Sequence, residues 1–109
     1  MARNLTRGDV RMYRFPPPDK PRPVLILTRD SAIPYLTRVT IAPVTSTIRG
    51  VPSEVLLGPD DGMKHVCVAN LHNVVTVRKE GLGSRVARLD GQRMKDVCRA
   101  LGFALGCDE

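Results

Sequence analysis

Arg22 and Thr45 are the residues of this chain best placed, by type and spacing, to act on a phosphate. Arg22-Pro23 opens the apolar run Val24-Leu25-Ile26-Leu27, and Pro43-Val44-Thr45 closes the next β-branched run, so both side chains fall at the rims of neighbouring strands. Arginine presents a planar fork of N–H donors that matches phosphate oxygens and stays charged at any accessible pH. A threonine hydroxyl can add a hydrogen bond to a phosphate oxygen or a ribose hydroxyl. Together they can hold a phosphodiester without a metal. Singly, each also has an ordinary structural reading: an exposed Arg-Pro pair before a strand, and a β-branched residue within one.

The elements that must position them read as one small β-rich domain. A chain of 109 residues suits a single domain over 1–109 with one core. A first strand is expected over Asp9 to Phe15, and the segment Pro16-Pro17-Pro18-Asp19-Lys20-Pro21 then stiffens a loop with few backbone donors, able to fold over a site. Val24 to Thr28 is apolar on both faces, as a central strand would be, and Arg38 to Thr45 follows after the turn-like Arg29 to Pro34. Further strands are expected over Ser53 to Leu57, Val66 to Leu71 and Val74 to Val77, with Gly58-Pro59-Asp60-Asp61-Gly62 as a turn. Six short strands suit a small barrel. The period then changes: Met94, Val97, Cys98, Leu101 and Leu105 form a helical stripe that should pack on the barrel, with Asp90 as N-cap and Gly106 at the stop.

Composition narrows the partners. A net charge of +6 implies an anionic ligand, with nucleic acid the commonest for a small basic domain, although the basic residues are scattered rather than gathered in a tail. Four aromatics, Tyr13, Phe15, Tyr35 and Phe103, are too few for a base-stacking platform of the single-strand-binding kind. No apolar stretch long enough to span a membrane and no apolar signal region after Met1 are visible, so a cytoplasmic location is expected. Three cysteines in no regular spacing fit a reduced compartment, with Cys67 and Cys98 read as core and Cys107 as an exposed thiol.

In their order and spacing these segments resemble the MazF/PemK toxins of type II toxin-antitoxin systems. The resemblance is carried by Arg7-Gly8-Asp9-Val10, Arg22-Pro23-Val24-Leu25-Ile26-Leu27, Ile41-Ala42-Pro43-Val44-Thr45-Ser46, Ser53-Glu54-Val55-Leu56-Leu57 and the closing helix. It implies an SH3-like barrel with a C-terminal helix packed on it, a homodimer, and a metal-independent endoribonuclease that cuts single-stranded RNA at short sequences. It also implies a cognate antitoxin, with an acidic C-terminal segment, that covers the site. On this likeness Arg22 and Thr45 are catalytic, and the RNA is met by Ser46, Thr47 and Arg49 of the following loop, with Asp19, Lys20 and Asn70 as further contacts. Two places depart from the family: Ala69-Asn70-Leu71-His72-Asn73 replaces an Asp-Gln-Ile-Arg-Thr-like stretch, and Arg11 stands where a large aromatic is usual.

Cleavage by the neighbouring 2′-hydroxyl needs two proton transfers, and a guanidinium is effectively never deprotonated in a protein. His72 is the candidate, since histidine ordinarily titrates near pH ~6.5; its structural alternative is a strand-end ring facing solvent or a partner. Asp19 is the second choice, followed by a relay through solvent or ribose. No cofactor is expected, and no metal: His65 and Cys67 share a strand face without a second ligand pair at zinc spacing, and Asp60-Asp61 reads as turn chemistry. Two other functions remain open at this stage, a gyrase-poisoning toxin of the same fold and a non-catalytic SH3-like RNA-binding module.

Overall fold

The computed structural model describes residues 4–107. Within them the chain forms β1 (Asp9–Arg14), β2 (Pro21–Ile26), β3 (Arg38–Thr45), β4 (Glu54–Leu57), β5 (Cys67–Asn70), β6 (Val75–Arg78), β7 (Leu82–Arg88) and α1 (Gly91–Leu105). The strands run antiparallel in the order β4-β5-β3-β2-β1-β7, and β6 also pairs with β3. Single 3-10 turns sit at Ile33–Tyr35, Pro59–Asp61 and Lys79–Gly81.

β3 organises the barrel because it changes partners along its length. One edge pairs with β2; the other pairs with β6 through Arg38 to Ile41 and with β5 through Val44 and Thr45. A strand shared in this way must bend, and the bend folds the sheet on itself. Two cores result. Val24, Ile26, Val39, Ile41, Val77 and Leu82 fill one, while Leu25, Ala42, Val44, Val55, Leu57, Ala69 and Leu71 fill the other together with Met94, Val97 and Ala100 of the helix. The doubly apolar run in β2 therefore has a simple cause: alternate side chains enter different cores.

The expected six strands are seven among the described residues, the addition being β7 beside β1. Of its residues only Leu82 and Ala87 are buried, and its pairing with β1 is irregular at Val10/Arg11 and Arg11/Tyr13, so no clean alternation marks it. The helix starts and stops as read. Asp90 accepts a hydrogen bond from the Arg93 backbone N–H at 2.8 Å, and Gly106 closes α1 with φ 74°.

Arg11, the departure in the first strand, has a structural partner. Asp9 is fully buried, and its carboxylate accepts from Arg88 Nε at 2.8 Å and from Arg11 Nη2 at 3.2 Å. A carboxylate at such depth is tolerable only when paired and hydrogen-bonded, so Arg11 contributes to the ion cluster that joins β1 to β7.

Cys98, read as core, is exposed on α1 and accepts from Arg7 Nη2 at 3.0 Å, while Cys107 is exposed as expected. Cys67 is buried, and burial pushes its thiol above the usual range, with the negative charge of Asp61 acting in the same direction. A raised pKa means less thiolate at any given pH. Iodoacetamide at mildly alkaline pH should therefore alkylate Cys98 and Cys107 and leave Cys67 unmodified until the protein is denatured, which peptide mass spectrometry reads directly. Labelling of Cys67 at the rate of the other two would contradict its placement in the core.

Candidate active site

Register brings Arg22 and Thr45 together. β2 pairs with β3 as Val24↔Pro43, Leu25↔Ala42 and Ile26↔Ile41. Continued by two residues, that register sets Arg22 beside Thr45 at the strand ends, on the face that carries Val24 and Ile26 inward, and both line one cleft. Thus the face that fills a core at mid-strand becomes a polar rim at its end. On the other side of β2, Arg22 stands opposite Tyr13, whose ring meets Phe15 edge to face with centroids 4.9 Å apart.

These residues open on a cleft of about 370 Å³. Its walls carry two cations, Arg22 and Arg49, two hydroxyls, Thr45 and Thr47, the amides of Asn70 and Asn73, and the carboxylate of Asp19; Phe15 and Pro43 give it an apolar patch. Among the described residues neither Arg22 nor Arg49 has a carboxylate partner, whereas Arg11, Arg78, Arg88, Arg93 and Arg99 are all paired. Unneutralised cations gathered in a cleft make an anion site. Thr45 Oγ1 accepts from the Thr47 backbone N–H at 3.2 Å, which leaves its own O–H free to donate to a ligand. Asn70 is buried, and its Oδ1 accepts from the His72 backbone N–H at 3.2 Å, which leaves its NH2 as the donor for a ligand.

A second groove of about 580 Å³ shares Arg22 and Thr45 with the first and runs along the other side of the β2 and β3 ends. Its walls are mostly apolar, with Met12, Pro23, Val44, Met63 and Val86 among them, and Lys20, Ser46, Lys64 and His65 supply the polar groups. The sequence-derived site therefore divides. Asp19, Arg22, Thr45, Thr47, Arg49 and Asn70 meet in the polar cleft, while Lys20 and Ser46 line the apolar groove beside it.

His72 joins neither wall. Its Nδ1 is hydrogen-bonded to Ser53 Oγ at the start of β4, so the ring braces the β5–β6 turn against a neighbouring loop. Phe15 and Asn73 are the cleft residues that local reasoning missed. The usable signal for Asn73 was its position three residues after Asn70 in a tight turn, which returns both side chains to the same edge of β3. Among the described residues no group of three or more His, Cys, Asp or Glu side chains is placed to share a metal ion.

An arginine and a threonine hydroxyl thus line one polar cleft at the open end of a small barrel. Residues 6–105 match the family described as PemK-like, MazF-like toxin of type II toxin-antitoxin system, and the chain belongs to that family. It is 45% identical over 87 residues, 79% of this chain and 80% of the other, to MazF5 of Mycobacterium tuberculosis, described as a probable endoribonuclease. The structure of the Mycobacterium tuberculosis toxin MazF-mt6 is similar with a TM-score of 0.82 and 34% identity, covering 90% of this chain and 96% of that one. An endoribonuclease in complex with its cognate antitoxin, from Mycobacterial species, gives a TM-score of 0.82 at 26% identity, with 94% and 95% of the two chains covered.

Proposed function

We propose that this chain is the toxin of a type II toxin-antitoxin pair, an endoribonuclease that cuts single-stranded RNA through Arg22 and Thr45 without a metal ion. One observation carries the reading: a guanidinium with no carboxylate partner among the described residues and a hydroxyl able to donate line the same cleft of ligand size at the strand ends. In the reaction the 2′-oxygen attacks the adjacent phosphorus, the bond from phosphorus to the 5′-oxygen breaks, and a 2′,3′-cyclic phosphate and a 5′-hydroxyl result. One proton leaves the 2′-hydroxyl and another reaches the departing 5′-oxygen.

Arg22 supplies paired donors to the nonbridging oxygens, whose charge grows in the transition state, and Thr45 donates to one of them. Arg49, on the loop after Thr45, adds a second cation that binds the RNA backbone rather than the reacting phosphate. Asp19 is the one carboxylate among the described residues lining the cleft, which favours it over His72 as the side chain that moves a proton. The apolar patch of Phe15 and Pro43 suits the face of a base. RNA and an acidic antitoxin segment would compete for this basic site, which in a homodimer is present twice. Among the described residues no helix is long and apolar enough to cross a membrane, and a cytoplasmic enzyme fits an RNA substrate.

The test is to incubate the purified protein with a long RNA in excess EDTA and map the new 5′ ends. The expected result is cleavage at one recurring short sequence, with 5′-hydroxyl termini. Cleavage that begins only when a divalent ion is added would overturn the metal-free mechanism, and none under any condition would overturn the endoribonuclease reading.

A further inference from the structure

Glu54 lies outside the cleft yet controls the loop that forms one of its walls. As the first residue of β4 it accepts from the backbone N–H of Arg49, at 3.1 Å to Oε1 and 3.3 Å to Oε2, and from that of Gly50, at 2.9 Å to Oε1. Consecutive amides converging on one anion make a small concave seat, and hydrogen bonds to an ionised acceptor are stronger than neutral ones. Gly50 has φ 75°, a left-handed conformation open to glycine at little cost.

The backbone that carries this carboxylate is held in the sheet. Glu54 stands opposite Asn70 in the β4/β5 ladder, the Ser53 carbonyl accepts from the Leu71 N–H at 2.8 Å, and Ser53 Oγ meets His72 Nδ1. One point at the start of β4 thus holds both the loop that carries Thr47 and Arg49 and the turn that carries Asn70 and Asn73.

We infer that Glu54 is a positioning residue: it pre-forms the loop of residues 46–50 so that Thr47 and Arg49 line the cleft before RNA arrives, and thereby sets RNA affinity and sequence choice. The inference rests on the endoribonuclease reading. A loop without this clamp must be ordered by the substrate, and that ordering appears as weaker binding. The chemical step is served by Arg22 and Thr45 from strand ends that Glu54 does not touch, so KM should move and kcat should not.

The experiment compares wild type with Glu54→Ala, Glu54→Gln and Gly50→Ala in steady-state cleavage, site mapping and amide hydrogen exchange. Gly50→Ala is the safeguard against a fold defect, because a Cβ there meets nothing within 4 Å and disturbs only the left-handed turn. Glu54→Ala should raise KM about tenfold with kcat within about threefold, and should widen the set of cleaved sequences. Glu54→Gln should recover part of the loss, since its carbonyl still accepts from the loop. Gly50→Ala should shift KM in the same direction, and in Glu54→Ala the amides of Arg49 and Gly50 should exchange faster. Unchanged KM and unchanged sites in both Glu54→Ala and Gly50→Ala would overturn the inference, as would a loss confined to kcat. A lower KM in Glu54→Ala would also overturn it, by showing the carboxylate to occupy a seat that the RNA phosphate needs. A wild-type protein that cleaves no RNA marks failure of the endoribonuclease reading, whereas unchanged amide exchange in an otherwise active Glu54→Ala enzyme overturns the clamp alone.

Discussion

Arg22→Ala is expected to lower the single-turnover cleavage rate at saturating RNA by about a hundredfold or more, the scale of losing a preorganised donor at developing transition-state charge. The side chain is exposed and has no ion-pair partner among the described residues, so its removal takes little from the fold. A rate loss at unchanged melting temperature then reports on chemistry. Arg22→Lys should recover little, since an ammonium keeps the charge but loses the planar fork that meets two oxygens at once. Thr45→Ala should cost on the order of tenfold, because one neutral hydrogen bond is the smaller contribution. If Arg22→Ala and Thr45→Ala both cut at the wild-type rate, the chemistry is elsewhere.

That this pair could be found in the sequence at all follows from strand geometry. β2 and β3 are marked by dense apolar and β-branched runs, and the expected span of β3, Arg38 to Thr45, is the observed one. Once two adjacent strands are located, the residues at their open ends are neighbours whatever the remaining strands do. β7 lacked this advantage, because Gly83, Ser84 and Arg85 follow one another on an irregular edge and its ordering comes from pairing with β1, some seventy positions away. The helix shows the limit of periodicity. Its stripe was legible, but the strip that meets the barrel is narrower, passing through Met94, Val97 and Ala100 and leaving Cys98 and Leu105 outside.

His72 illustrates the same boundary for the site. Its chemistry was readable from its type, yet the direction of its ring depends on Ser53, nineteen residues away in sequence and adjacent only after β4 and β5 have paired. Asn73 enters the cleft for a similar reason, since the turn that carries it closes only when β5 and β6 both dock on β3. Local pattern identifies side chains with usable chemistry, and long-range pairing decides where they point.

The other large effect concerns the substrate. RNA carrying a 2′-deoxynucleotide only at the scissile position should fall to the uncatalysed background, because the nucleophile itself has been removed while the cleft is intact. Binding should survive. In the proposed roles Arg22, Arg49 and Thr45 address phosphate oxygens, which this substitution leaves in place, so Kd should change by no more than about twofold. The natural RNA should give a 2′,3′-cyclic phosphate, identified by its resistance to phosphatase until acid opens the ring. Cutting of the deoxy substrate at the normal rate would mean that water attacks instead. Arg22 and Thr45 would then still hold the phosphate, but the site would need a group that activates water, and Asp19 would be the first residue to change.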